Sequence, residues 1–270
     1  MSMKPRSLIF DLFGGHLRYL GGEARLQPLS EFLELFGIPS ATTRVALARM
    51  RKEEWFSTRR DGRQTIYTLT EKSRQLLDDG RNRIFKETPK TWDEQWRMAI
   101  YTVPEESRDE RERFRRTLTW HGFGPLAAAT WVSPHPRLDQ IGTALGKIEA
   151  SARLDLLTCR STGRAHDRDM AARCWDLEGL GRDYATLIKS YSLLPPPSEL
   201  EKYPGAEALR YQIEHVNTYR TFPFRDPDLP DQLLPEGWPG REAHQHFVEI
   251  FEALSGPARA YVQSILESTN

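Results

Sequence analysis

The sequence predicts an α+β fold: an N-terminal helical unit with one hairpin, a middle sandwich, and a mostly helical C-terminal domain. Three observations carry that prediction. Residues 7–87 show helical apolar periodicity three times and then a hairpin signal. Residues 95–162 alternate strand, helix, strand, helix, strand, and the remainder is helical in pattern and rich in Trp, Tyr and Pro. A chain of 270 residues is long enough for two or three domains, and the boundaries fall at 1–90, 91–162 and 163–270.

In the first segment Leu8, Ile9, Leu12 and Phe13 form the apolar face of a short helix that Gly14 and Gly15 end or kink. After the Gly21-Gly22 turn, "LQPLSEFLELFGI" sets Leu29, Phe32, Leu33 and Phe36 on one face, with Gly37 as the C-terminal stop. Ser40 is placed to cap a third helix, in which Thr43, Ala46, Leu47 and Met50 fall at i, i+3, i+4 and i+7 and form a buried stripe. Two β-rich runs, "WFSTRR" and "RQTIYTLT", flank Asp61-Gly62, a hairpin signal because that turn needs positive φ. A polar helix, "TEKSRQLLDDGRNRIFKE", closes the segment before Pro89.

The formal net charge is zero, yet residues 1–90 hold 17 Lys+Arg against 11 Asp+Glu and the rest hold 21 against 27. A basic end on an acidic body points to an anionic partner for that end alone. Helix, helix, helix, hairpin is the order of a winged helix-turn-helix, whose third helix enters the major groove while the wing meets the backbone beside it. With the stripe buried, the outer strip of the third helix carries Ala41, Val45, Ala48 and Lys52. Arg44 and Arg51 flank it on one side, Thr42 and Arg49 on the other. Small central side chains let a helix sit deep in a groove, and flanking arginines reach guanine edges or phosphates. Arg59, Arg60 and Arg63 cluster at the hairpin tip, where a wing meets phosphates or the minor groove. The expected DNA-contacting set is therefore Thr42, Arg44, Val45, Ala48, Arg49, Lys52, Arg59, Arg60 and Arg63. A charge run by itself is better explained as a solvated surface; the ordered helices, the small-residue strip and the basic tip together reverse that and favour double-stranded DNA.

In the middle segment "QWRMAIYTVP" reads as a strand, "EESRDERERFRRTLTWHG" as a helix with Phe114 and Leu118 inward, and "GPLAAATWVS" as a strand. "PRLDQIGTALGKIEAS" follows as a helix and "ARLDLLTCRS" as a strand, a ferredoxin-like sandwich if one more short strand lies near Trp120 to Phe123. In the last segment, residues 221–240 have a linker's proline content, but Phe222, Phe224, Leu233, Leu234 and Trp238 predict an ordered, packed loop. Trp175, Tyr184, Tyr191, Phe222 and Trp238 would suit a ligand pocket or a subunit interface.

Other classes are weakly supported. Two distant cysteines, Cys159 and Cys174, predict free thiols rather than a disulfide scaffold or a zinc cluster. The absence of a signal peptide or long apolar run predicts a cytoplasmic protein that does not engage a membrane. No metal site is expected: His244 and His246 lie about 200° apart on a helix and share no ligand face. Ser161, Thr162 and Gly163 near His166, Asp167 and Asp169 have nucleophilic residue types without an elbow motif. The expectation is no enzyme and no cofactor.

The stretches "GIPSATTRVALARMRKEEWFSTRRDGRQTIYTLT", "AARCWDLEGLGRDY" and "YRTFPFRDPDLPDQLLPEGWPGREAHQHF" resemble, in order, the winged-helix segment and the C-terminal signature of the PaaX family of transcriptional repressors. The resemblance covers nearly the whole chain, and the run from Asp226 to Gly240 is its most specific part. It implies a dimeric repressor of aromatic-acid, phenylacetate-type catabolism, bound to an inverted-repeat operator and released by an aryl-CoA thioester such as phenylacetyl-CoA. For that effector Arg153, Arg160, Arg164 and Arg168 are the nearest basic cluster in sequence, with Trp175 beside them. One departure is that the family's glycine before the aromatic at the start of the wing is here Glu54, before Trp55. The middle sandwich also resembles the small ferredoxin-like nucleases of CRISPR systems, so a metal-dependent nuclease is one alternative and a non-catalytic interaction protein another. The nuclease needs an acidic ligand at the end of the first strand, where "AIYTVPEE" supplies Thr102 and Val103, with Glu105 and Glu106 only after the proline.

Overall fold

Where apolar residues recur every three or four positions the chain is helical, and where they alternate it is extended. The computed structural model describes residues 3–62, 64–85, 91–104, 107–146 and 153–268. In chain order it forms α1 (Pro5–Gly15), β1 (Glu23–Arg25), α2 (Leu26–Glu34), α3 (Ser40–Lys52), β2 (Phe56–Asp61), β3 (Gln64–Leu69) and α4 (Glu71–Phe85). Then come β4 (Trp96–Thr102), α5 (Arg108–Trp120), β5 (Gly124–Ala127), β6 (Thr130–Ser133), α6 (Leu138–Leu145) and β7 (Arg153–Cys159). Last are α7 (Arg164–Cys174), α8 (Leu177–Tyr191), α9 (Pro197–Leu200), α10 (Gly205–Tyr219) and α11 (Gly240–Ser268). The fold class is α+β, with antiparallel sheets ordered β1-β3-β2 and β5-β6-β4-β7. No helix among the described residues is long and apolar enough to cross a membrane.

These elements form two compact units that cut across the three sequential segments: Met1–Lys86 with Ile188–Arg220 and His244–Asn270, and Glu87–Leu187 with Thr221–Ala243. In the first unit Leu8, Ile9, Leu12 and Phe13 of α1, Leu29, Phe32 and Leu33 of α2, and Thr43, Leu47 and Met50 of α3 are buried together. Gly37 ends the α2 region at φ 72, with Ile38 N bonding back to Leu33 O at 3.1 Å. Ser40 does not cap α3. Pro39, already extended, holds the cap position, and the Ser40 hydroxyl bonds to Ser30 Oγ at 3.1 Å. The hairpin pairs Phe56↔Leu69 through Asp61↔Gln64, so its loop begins at Gly62 (φ 58), one residue later than the sequence signal. β1, unforeseen because it is three residues long, adds to β3 with Glu23↔Thr68. The C-terminal helices complete this unit. Phe247 stacks on Tyr219 at 3.9 Å and meets Phe85 at 5.4 Å, while Arg220 ties α10 to α1 through Asp11 at 2.7 Å and Ser7 at 2.5 Å.

In the second unit alternate residues of the four-stranded sheet face two separate cores. Ala99, Tyr101 and Trp131 pack on Phe114, Leu118, Ile141 and Leu145 of α5 and α6. Trp96 and Val132 pack on Met170, Ala171 and Cys174 of α7 and on Leu229, Leu233 and Leu234 of the 221–243 segment. The stretch read as one strand, "GPLAAATWVS", is two strands with a bulge between Pro125 and Ala127. Three successive alanines carry neither β-branched residues nor a turn residue to announce that hairpin. Trp120, placed provisionally in a strand, ends α5 instead.

Candidate functional site

Helix α3 owes its orientation to its buried stripe. Thr43, Leu47 and Met50 are at most 1% exposed and fix which side faces the core, with Ala46 half-buried beside them. The opposite side, carrying Thr42, Arg44, Val45, Ala48, Arg49, Arg51 and Lys52, is exposed throughout. Val45 stands 70% exposed at its centre. Arg44 and Arg51 lie close enough to Tyr67 to oppose the rise that burial gives its phenol. On the hairpin Arg59 and Arg60 are exposed, and Arg63 lies outside the described residues.

The predicted cations are not equivalent. Arg49 Nε donates to Glu53 Oε1 at 2.9 Å, and Arg59 Nη2 donates to Glu23 Oε1 at 2.7 Å. Arg44, Arg51, Lys52 and Arg60 have no ion pair among the described residues. The turn joining α3 to β2 has Glu54 at φ 61, the left-handed region that favours glycine. Trp55 then packs edge-on to Phe10 at 5.4 Å under the Lys72 ammonium, which lies 4.0 Å from its ring centre. Arg6, Glu53 and Lys72 were not singled out from the sequence. Their convergence depends on contacts 19 to 47 residues apart, which no local pattern reports.

A second concave feature lies wholly in the other unit, a cleft of about 510 Å³. Trp175, Leu177, Leu233, Leu234, Pro235, Trp238 and Pro239 give it apolar walls; Arg168, Asp176, Glu178 and Glu236 are its charged lining. The 221–240 segment that forms one wall is ordered, as its apolar residues predicted. Tyr184 OH donates to Asp226 Oδ2 at 2.8 Å and stacks on Phe222 at 4.7 Å, and His135 Nε2 bonds to Pro227 O at 3.0 Å. Arg168 Nε donates to Gln232 O at 3.1 Å. Of the residues singled out for an effector, the cleft brings together Arg168 and Trp175. Arg153 and Arg160 are exposed outside it, and Arg164 pairs loosely with Glu94 at 3.6 Å. One cation against three carboxylates makes the lining suited to a neutral planar group rather than to phosphates.

The remaining candidates separate. Ser161 Oγ exchanges bonds with the Gly163 backbone at 3.1 and 3.2 Å, and Asp167 accepts from Trp96 Nε1 at 2.7 Å. His244 Nδ1 bonds to Tyr219 OH at 2.9 Å, while His246 lies 3.7 Å from Glu249. Burial pushes the Cys174 thiol up to about 11. Among the described residues no group of three or more His, Cys, Asp or Glu is arranged to hold a metal ion. β4 ends at Thr102, and Glu105 and Glu106 lie outside the described residues.

Family models match three successive stretches of the chain. Residues 4–73 match the family description PaaX-like protein, residues 89–171 the PaaX protein central Cas2-like domain, and residues 175–264 the PaaX-like protein C-terminal domain. The chain is 29% identical over 261 residues to the transcriptional repressor PaaX of Escherichia coli (strain K12), covering 95% of this chain and 82% of that protein. In fold it is similar to the uncharacterized protein Rv0674 from Mycobacterium tuberculosis, with a TM-score of 0.68, 23% identity, and coverage of 96% of this chain and 99% of that one. With three successive family matches along its length, the chain belongs to the PaaX family of transcriptional repressors.

Proposed function

We propose that this protein is a sequence-specific repressor that binds duplex DNA as a homodimer, with α1–α3 and the β2–β3 hairpin acting as a winged helix-turn-helix. The observation that carries the reading is the exposed face of α3, where Val45 and Ala48 lie among Arg44, Arg51 and Lys52, cations that no ion pair holds among the described residues. A β-branched apolar side chain 70% in water at the centre of a basic helix face is what contact with a thymine methyl or a sugar would cover. Arg60, and Arg59 once released from Glu23, would meet phosphates beside the groove. The βαββαβ element order and the β5-β6-β4-β7 strand order support reading the four-stranded sheet as a ferredoxin-like sandwich. With no carboxylate at the end of its first strand, it supports a structural rather than a nucleolytic role.

The regulated genes, by family resemblance, serve aromatic-acid catabolism, and an aryl-CoA thioester is the effector. Its aryl end suits the Trp175–Trp238 cleft; the acidic lining leaves the nucleotide phosphates outside. Footprinting on the protein's own upstream region tests the repressor reading. Protection of an inverted repeat, with half-site centres one or more helical turns apart, is expected; protection of one asymmetric half-site by a monomer contradicts it. Calorimetry with phenylacetyl-CoA, the free acid and CoA, each with and without that DNA, tests the effector. An inducer must bind more weakly in the presence of operator, by the same factor with which it weakens operator binding.

A further inference from the structure

The cations around α3 fall into two groups. Arg44, Arg51, Lys52 and Arg60 stand without ion pairs among the described residues, whereas Arg49 and Arg6 converge on one carboxylate, Glu53, directly after the helix. Glu53 Oε1 accepts from Arg49 Nε at 2.9 Å, and Oε2 accepts from Arg6 Nη1 at 2.5 Å and Trp55 Nε1 at 3.1 Å. Lys72 Nζ donates to the Glu53 carbonyl at 3.0 Å. These donors, Arg49 and Trp55 foremost, hold the Glu53 carboxyl below its ordinary range, so it is charged at neutral pH. A helix C-terminus disfavours an anion, so the stability of α3 does not explain a glutamate there. What the glutamate does is gather two guanidiniums at the end of the proposed recognition helix.

Carboxylate and phosphate satisfy a guanidinium in the same way, as anionic acceptors of charge-assisted hydrogen bonds. We propose that Glu53 is an internal stand-in for a DNA phosphate: it occupies Arg49 and Arg6 in the free protein, must be displaced before either contacts a duplex, and so sets how tightly this face holds duplex DNA. The inference rests on the repressor reading above. A duplex of arbitrary sequence offers those arginines only phosphates, and so gains only the excess of a phosphate contact over the existing ion pair. The cognate site adds base contacts, but the same ion pairs must be broken there, so the cost is common to both kinds of site. Glu53 thereby lowers the affinity for every duplex by a similar factor and leaves the ratio between the cognate site and other sites nearly unchanged.

Glu53→Gln keeps the side-chain shape and one acceptor oxygen while removing the charge. Its affinity is read by fluorescence anisotropy, over a range of salt, on two duplexes: a mixed-sequence one of about three helical turns, and the upstream fragment that wild type protects. On the mixed-sequence duplex E53Q is expected to bind about three- to tenfold tighter, with a salt slope steeper by about one. The gain on the protected fragment is of similar size, so the ratio stays nearly unchanged. Glu207→Gln, an equal charge change on α10, should behave as wild type, and adding Arg49→Gln to E53Q should abolish most of the gain. Thermal unfolding verifies that each variant is folded. If E53Q is not, Glu53→Asp, which retracts the carboxylate, should show the same direction at smaller size. Mixed-sequence affinity within about twofold of wild type, an equal gain from E207Q, or a gain that survives loss of Arg49 would each overturn the inference alone. A wild-type protein that binds no duplex even at low salt would overturn the repressor reading and the inference with it.

Discussion

The basic face of α3 is made of side chains standing on a regular helix, whereas the cleft of the second unit is walled by an irregular segment tied down bond by bond. On α3 the backbone satisfies itself and the buried stripe sets the orientation, so the outer residues other than Arg49 face outward to serve a partner. Residues 221–240 have no such ladder. Some of their carbonyls are met by side chains, His135 at Pro227 and Arg168 at Gln232, others by short turns such as Leu233 N to Pro230 O, and Asp226 is met by Tyr184. The difference teaches where each surface is vulnerable. A substitution on the α3 face should change binding and leave stability nearly alone, while one beneath the strap should cost stability and reshape the cleft.

The largest expected effect is at Trp96, fully buried beneath the strap and bonded to Asp167. Trp96→Ala should lower the unfolding free energy by about 3–5 kcal/mol in urea denaturation. A loss under 1 kcal/mol would break the comparison, since the strap core would then not depend on its central side chain.

The next effect is a pH dependence centred on the strap. Burial lowers His135 to about 4, outweighing its bond to Pro227 O, so the folded protein keeps this imidazole neutral while the unfolded chain protonates it near 6.5. Unfolded chains therefore bind more protons as pH falls from 6.5 to 4, and stability falls with it. Between pH 7 and 5 the loss should be about 2 kcal/mol, and His135→Asn should remove it. The first unit carries an offset that the strap lacks. Burial lowers His16 to about 4 but raises Asp11 to about 6 against the pull of Arg220. The raised Asp11 contributes stability at low pH that is lost as pH rises through 6, opposite in sign to His16 over the same range.

Smaller effects sharpen the contrast further. Tyr184→Phe removes the hydroxyl bonded to Asp226 and should cost about 1 kcal/mol, while leaving duplex affinity in the absence of effector unchanged. At the far end of α3, Glu54→Gly relieves a left-handed residue and should stabilise by about 0.5–1 kcal/mol, read as a rise in melting temperature.

What could be read from the sequence follows the same line. The α3 stripe was legible because Thr43, Leu47 and Met50 repeat with the helical period, and the outer strip follows from them by geometry alone. The packed strap was legible from its large apolar residues. The two-strand reading of residues 124–133 was not, because alanines carry no signal in either direction. Nor was the pairing of Arg59, since Glu23 lies 36 residues away, whereas the Arg49–Glu53 pair has the i,i+4 spacing that sequence does show. The regrouping of α10 and α11 with the N-terminal helices was hidden for the same reason, since Arg220 meets Asp11 across 209 residues.

The central claim, that the exposed face of α3 reads duplex DNA while the hairpin supplies only charge, is tested most directly by two variants on two duplexes. Affinities of wild type, Arg44→Ala and Arg60→Ala are measured on the protected upstream fragment and on a shuffled duplex of equal length across a range of salt. Arg44→Ala should lose about 1–3 kcal/mol on the protected fragment and far less on the shuffled one. Arg60→Ala should weaken both alike and flatten the salt slope by about one. Equal losses on both duplexes for Arg44→Ala, with altered sequence preference for Arg60→Ala, would contradict the account.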